Sequence, residues 1–164
     1  MGLRQACGIQ VNFLFSFRKN SFPSTLPEGF ILESELQPSP RALNRLLSKC
    51  NEKTHSFKRL EMALERSFFH ISILEKKTGK LSGFVRATSD NGLNANLWNL
   101  VAEPGVNQKH FLYVLVNQAL GRLRRDLPGC SISVSAPQIA INALQEQVFL
   151  FCSFPFAFQK DSAS

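Results

Sequence analysis

The side chains most able to do chemistry are scattered in this sequence. His55, His70 and His110 lie far apart, with no spacing that would let them hold a metal together. Cys7, Cys50, Cys130 and Cys152 form no C-x-x-C pair. Neither a zinc site nor a disulfide framework is therefore expected, and reduced, mostly buried thiols of an intracellular protein are. The tight basic cluster is Arg122, Arg124 and Arg125, which reads as the solvated end of a helix where the dipole favours cations. A nucleic-acid binder would gather its charge more closely and interleave basic and aromatic residues on a strand. Here the net charge of +7 is spread out. Residues 1–27 carry +3 with no acid, residues 28–148 hold 15 basic and 11 acidic side chains, and the tail from 149 is neutral. A mildly basic body suits a phosphate-bearing ligand or an anionic surface.

The elements that must position these groups can be read from periodicity and punctuation. A chain of 164 residues supports one domain with a real core. No apolar run reaches the roughly 18 residues that would cross a bilayer as a helix. Gly29 to Ser34 reads as a short strand. Ser39 caps a helix that opens on Pro40, with Leu43, Leu46, Leu47 and Cys50 on one face. A turn at Asn51 to Thr54 leads to a second helix, whose apolar stripe is Leu60, Ala63, Leu64 and Phe68. His70 to Lys76 and Leu81 to Thr88 are strands joined at Thr78-Gly79, and Asp90-Asn91-Gly92 turns the chain into a third strand, Asn96 to Ala102. Trp98, in mid-strand, is expected in the core. Pro104-Gly105 ends that strand. The longest helix runs from about Gln108 to Leu127 and stops at Pro128-Gly129. Tyr113, the single tyrosine, is expected to pack half-buried on it. Cys130 to Ser135 is a strand, and Pro137 opens a helix over Gln138 to Gln147. The strand–helix–strand order after Trp98 needs a crossover, hence a parallel pair. The fold class is α/β, with a mixed sheet in the order β-α-α-β-β-β-α-β-α.

The two ends differ from the middle. Of 15 phenylalanines, Phe13, Phe15, Phe17 and Phe22 precede residue 28, and Phe149, Phe151, Phe154, Phe156 and Phe158 follow residue 148. The first 27 residues, basic, acid-free and containing Ser16, Ser21, Ser24 and Thr25, have the composition of an organelle transit peptide, with a disordered tail as the alternative. The division expected is a targeting segment at 1–27, a folded domain at 28–148 and a Phe-rich strand or tail at 149–164. The Phe ladder, with Pro155 inside it, would expose an apolar edge unless it packs on the core.

The element order, with the stretch Asn96-Leu97-Trp98-Asn99-Leu100-Val101-Ala102-Glu103-Pro104 ahead of the long helix, resembles the GNAT superfamily of acyl-CoA-dependent N-acyltransferases. Ser133-Val134-Ser135-Ala136 followed by a helix and Val148-Phe149 adds to the likeness, and Pro27-Glu28-Gly29-Phe30 looks like its plant plastid branch. The likeness covers about residues 28–149. It implies acetyl-CoA as co-substrate, direct attack of a protein amine (lysine or N-terminal) on the thioester, and a plastid, cytoplasmic or nuclear location. It implies no membrane partner. It also implies backbone pairing of Leu100 and Val101 with the pantetheine arm and a pyrophosphate at the start of the long helix.

The family's phosphate loop, [QR]-x-x-G-x-[GA], falls on Asn107, Gln108, Lys109, His110, Phe111 and Leu112, so His110 and Leu112 stand where small residues let backbone approach phosphate. Replacing both by glycine is then expected to tighten acetyl-CoA binding. Leu144 stands where the family often has a tyrosine acid, and Glu103 is the candidate catalytic carboxylate. The alternative is a degenerate or truncated member that binds a partner without turnover.

Overall fold

The computed structural model describes residues 9–10, 25–137 and 139–140, the first pair by backbone placement alone. Most of the segment expected to be a targeting peptide, the body of the helix expected at Gln138 to Gln147, the position of Leu144 and the Phe-rich end lie outside the described residues.

The strands are β1 (Ile9–Gln10), β2 (Phe30–Glu33), β3 (Phe69–Glu75), β4 (Leu81–Ser89), β5 (Asn94–Ala102) and β6 (Ser131–Val134); the helices are α1 (Pro40–Lys49), α2 (Phe57–Glu65) and α3 (Gln108–Asp126). The six strands form one sheet in the order β1-β6-β5-β4-β3-β2. All neighbours are antiparallel except β5 and β6, which run parallel because α3 connects them as a crossover. From β2 to β6 the expected element order is present, and β1, within the segment expected to be a targeting peptide or tail, adds a strand that was not expected.

Local chemistry starts and stops these elements. The Ser39 hydroxyl accepts from the Ala42 N–H at 3.2 Å, with Pro40 at the first helical position, and the Ser56 hydroxyl accepts from the Arg59 N–H at 3.4 Å. Asn44 ties α1 to the loop that follows it: its side-chain amide donates to the His55 carbonyl at 2.6 Å and accepts from the His55 N–H at 3.0 Å. At the β4–β5 turn, Asp90 Oδ1 accepts from the N–H groups of Gly92, Leu93 and Asn94, each at 2.9 Å.

Those bonds favour the ionised carboxyl, and the hydrogen bond from Asn94 leads in lowering its pKa from 3.8 to about 2. The folded turn therefore binds fewer protons than the unfolded chain across that interval. Its stabilisation is complete above about pH 3.8 and is lost as pH falls through about 2. Asp90→Asn should be less stable than the parent at pH 6, and the gap should close by pH 2. Denaturant unfolding at the two pH values checks this, and a gap independent of pH would count against it.

Two apolar layers hold the sheet. On one face α3 packs Phe111, Leu112, Leu115, Val116, Ala119 and Leu123 against Ile71, Ile73, Val85, Leu97 and Leu100. Gly83 permits this approach, since a Cβ there would lie 3.1 Å from Ile73 Cδ1 and 3.2 Å from Leu115 Cδ1. On the other face α1 and α2 pack Leu43, Leu46, Leu47, Leu60 and Leu64 against Leu81, Phe84 and Val101.

Four expectations are corrected. Helix α2 ends at Glu65 because the chain then enters the sheet, where the Phe68 N–H donates to the Ala87 carbonyl at 2.8 Å; the Phe68 ring is left exposed. Strand β5 begins two residues earlier than expected, paired through Asn94 and Ala95 to β6. Tyr113 is fully rather than half buried. Trp98 is not a core residue: it is 38% exposed. Arg124 and Arg125 do close the last turn of α3, and Arg122 lies over the Phe69 ring at 4.7 Å. Among the described residues, Cys50 and Cys130 are free thiols, no group of side chains is arranged for a metal, and no helix is long and apolar enough to cross a membrane.

Candidate functional site

Strand β5 carries the irregularity that builds the site. Val101 pairs with Phe84 and Trp98 with Arg86, so three steps on β5 face two on β4. One residue is extra, which is a β-bulge. Asn99 sits in it at φ 52°, a left-handed conformation that asparagine tolerates better than most residues. The bulge also inverts the alternation of side chains. Ala95 and Leu97 face α3 before it, and Leu100 and Ala102 face α3 after it.

The parallel pairing of β5 with β6 stops at Leu97 and Val134, with a final bond from the Ser135 N–H to the Leu97 carbonyl at 2.9 Å. Strand β5 continues for five residues beyond that point. Its edge from Trp98 to Ala102 has no strand partner on the β6 side among the described residues. The start of α3 lies at the end of the same edge. The Gln108 side-chain amide donates to the Ala102 carbonyl at 3.0 Å and fixes helix to strand. An unpaired strand edge ending at a helix N-terminus presents amide-pairing groups and a positive dipole end side by side.

The residues expected at the site distribute as follows. Leu100 and Val101 lie on the unpaired edge, but both side chains are buried, Leu100 towards α3 and Val101 towards α1. They can meet a ligand through backbone alone. Asn107 precedes α3 without a side-chain cap, and Gln108, Lys109 and His110 form its first turn. Phe111 and Leu112 are core residues; Leu112 is 1% exposed, and Phe111 packs edge-on against Phe30 with centroids 4.8 Å apart. The joint replacement of His110 and Leu112 by glycine, expected to tighten binding, would therefore empty part of the core.

Glu103 is taken up elsewhere. Its Oε1 accepts from Lys49 Nζ at 2.6 Å and Lys80 Nζ at 2.7 Å, and its N–H donates to the Ser82 carbonyl at 2.8 Å. Partial burial would raise its pKa, but the two lysines outweigh that and hold the carboxyl below its ordinary value. A carboxylate so clamped is a poor proton acceptor and a good staple between α1, β4 and the end of β5.

A group of polar residues beside the bulge was not anticipated from sequence. His70 pairs across the sheet with Arg86, and Arg86 with Trp98, placing the three in one row on the face opposite α3. Arg86 Nε donates to Asn99 Oδ1 at 2.7 Å, its guanidinium lies 5.9 Å from the Trp98 ring centroid, and Trp98 Nε1 donates to Thr88 Oγ1 at 2.8 Å. Burial pulls the Arg86 pKa down. The register across three strands creates this row, and register requires the strand partners to be known.

No family model matches the chain. A 70-residue stretch is 40% identical to an "Uncharacterized N-acetyltransferase ycf52" of Pyropia yezoensis, covering 42% of this chain and 40% of that one. The chain thus matches less than half the length of that relative. Among solved structures, a Staphylococcus aureus protein of unknown function described as a probable acetyltransferase aligns with TM-score 0.65 and 12% identity, over 82% of this chain and 96% of that one. A GNAT family acetyltransferase of Streptococcus pneumoniae aligns with TM-score 0.58 and 14% identity, over 80% and 99%.

Proposed function

We propose, for a chain that has the GNAT fold, that it transfers an acetyl group from acetyl-CoA to an amine. The observation that carries this reading is the bulge at Asn99 together with a β5 edge that, beyond Leu97, has no strand partner among the described residues on the β6 side and ends beside the start of α3. In this reading the backbone of Leu100 and Val101 pairs with the amides of the pantetheine arm. The first turn of α3, from Asn107 to His110, receives the pyrophosphate, and Lys109 adds a positive charge there.

The acceptor arrives as an ammonium and must lose a proton before its lone pair can attack, since amines have pKa values of about 8 to 10. Glu103, held ionised by two lysines, is a structural anchor in this reading and the proton passes to solvent. The neutral amine then attacks the thioester carbonyl. A C–N bond forms, the C–S bond breaks, and the thiolate leaves with the electron pair and takes up a proton from the nitrogen. The products are an amide and free CoA thiol, with one proton released to solvent.

The acceptor is to be sought among protein lysines, protein N-termini and small amines. We place the protein in a plastid: the basic, acid-free residues 1–27 support that, and the red-algal relatives fit it.

Two measurements test the transfer. Acetyl-CoA at 100 times its Kd should stabilise the fold by about 2.7 kcal/mol, read as a rise in Tm. Release of CoA thiol should follow addition of a peptide or small-molecule amine, rising with pH towards the pKa of that amine. A rise in Tm without thiol release from any amine would favour a binding module. That second reading is favoured by His110 and Leu112 standing where backbone must come close to phosphate. No change in Tm would overturn both.

A further inference from the structure

Resting on the transfer reading for its place in the reaction, we propose that Arg86 is the seat for a carboxylate on the acceptor, so that the preferred acceptors are amines carrying a nearby carboxylate. Arg86 is half-buried in the row His70–Arg86–Trp98 and touches the bulge through Asn99. A guanidinium has five donors in a fixed fork, and here Nε alone has a hydrogen-bond partner. No carboxylate of the described residues forms an ion pair with it; Glu103 pairs with Lys49 and Lys80, and Asp126 with Arg122 and Arg125.

Taking a guanidinium partly out of water without an anion is costly, and a protein retains such a group where a ligand completes it. The surroundings point the same way. His70 Nε2 and Ser72 Oγ, on the same face, are buried without hydrogen-bond partners. Glu33 feels the charge of His70, but its Oε1 is occupied by the N–H groups of Glu35 at 2.7 Å and Leu36 at 3.0 Å. The Trp98 ring centroid lies 5.9 Å from the guanidinium carbon, and Trp98 is partly exposed. A carboxylate accepting two parallel bonds from the Nη groups would lie within one side chain of the bulge, where an amine two to four bonds further along could reach the unpaired β5 edge.

Trp98 is the single tryptophan of the chain, so its fluorescence reports on this row directly. The test uses the full chain and matched probes: 4-aminobutyrate against 4-aminobutanamide, and a tryptophan-free peptide with glutamate beside its lysine against the same peptide with glutamine. The acid member of at least one pair should change Trp98 fluorescence saturably, and should be the better acceptor by about tenfold in kcat/KM through KM. Which pair responds distinguishes a small amino acid from an acidic peptide as the source of the carboxylate.

Arg86→Gln should abolish the preference for the acid over the amide. Arg86→Lys, which keeps the charge but not the fork, should retain only part of it. It also serves if the Gln variant does not fold. Equal binding and equal transfer of acid and amide, or a preference unchanged in both variants, would overturn the seat for carboxylate while leaving acetyl transfer standing. Absence of a Tm rise with acetyl-CoA and of transfer to any probe would sink the transfer reading, and an Arg86-dependent fluorescence response to the acids would then uphold the carboxylate site alone.

Discussion

Asn99→Val should weaken acetyl-CoA binding at least about tenfold and destabilise the fold by about 1–2 kcal/mol. The reason is backbone conformation rather than lost side-chain contact. Asn99 stands at φ 52°, and a β-branched residue there clashes with its own carbonyl. The strand would escape by expelling the bulge. Trp98 and Leu100 would then fall out of their present alternation, and β5 would be free to pair with the continuation of β6. The edge offered to the pantetheine arm would close. Asn99→Gly separates this cause from the loss of Oδ1, because glycine takes the same φ without strain. It should bind acetyl-CoA within about twofold of the parent, since a compatible glycine costs only about 1 kcal/mol of stability. Calorimetric titration with acetyl-CoA and thermal unfolding of both variants decide the matter. If the valine variant binds as well as the glycine variant, the bulge does not make the site.

The second large effect concerns the start of α3. Leu112→Gly should destabilise the fold by about 3–6 kcal/mol. Leu112 is 1% exposed and packs in the α3 layer, so truncation to alanine costs about 2–5 kcal/mol. Glycine within a helix adds about 1 kcal/mol. Together these are a large fraction of the stability of an ordinary domain, about 5–15 kcal/mol, and reach its lower end. His110→Gly is the informative variant instead. Its side chain is only half-buried in the first turn, so the replacement should cost about 1 kcal/mol. Removing its bulk lets backbone approach a phosphate, and acetyl-CoA should bind more tightly. Denaturant unfolding checks the first outcome and titration the second. A Leu112→Gly protein that unfolds within about 1 kcal/mol of the parent would contradict the packing of α3 described above.

Much of the frame was legible before any coordinates, for reasons that are local. Ser39 followed by Pro40, and the four apolar residues at helical spacing after them, specify α1 with its start and its inward face. Asp90-Asn91-Gly92 specifies the β4–β5 turn, because the aspartate satisfies three backbone donors and Asn91 accepts a φ of 62°. The strand–helix–strand order through α3 specifies a crossover, hence a parallel pair. The end of α2 was misjudged because Phe68 continues the apolar stripe in sequence while its N–H is claimed by Ala87, a residue 19 positions on.

The chemistry of the site was less legible, and Trp98 shows why. Taken with its neighbours in sequence it is an aromatic residue in an apolar strand, and burial is the natural expectation. Its neighbour Leu97 faces α3, so Trp98 lies on the opposite face with Arg86 and His70, and one extra residue beside it turns the alternation over so that Leu100 enters the core. Glu103 shows the same limit: a carboxylate at the end of a strand is a candidate base until two lysines, 54 and 23 residues away along the chain, are found holding it. Helix caps, turns and apolar stripes are settled within a few residues of chain, and these were readable from residue types. The partners of a charged or aromatic side chain are set by strand register and helix docking over tens of residues. Whether a group binds ligand, anchors the fold or fills the core was therefore decided only when the sheet closed around it.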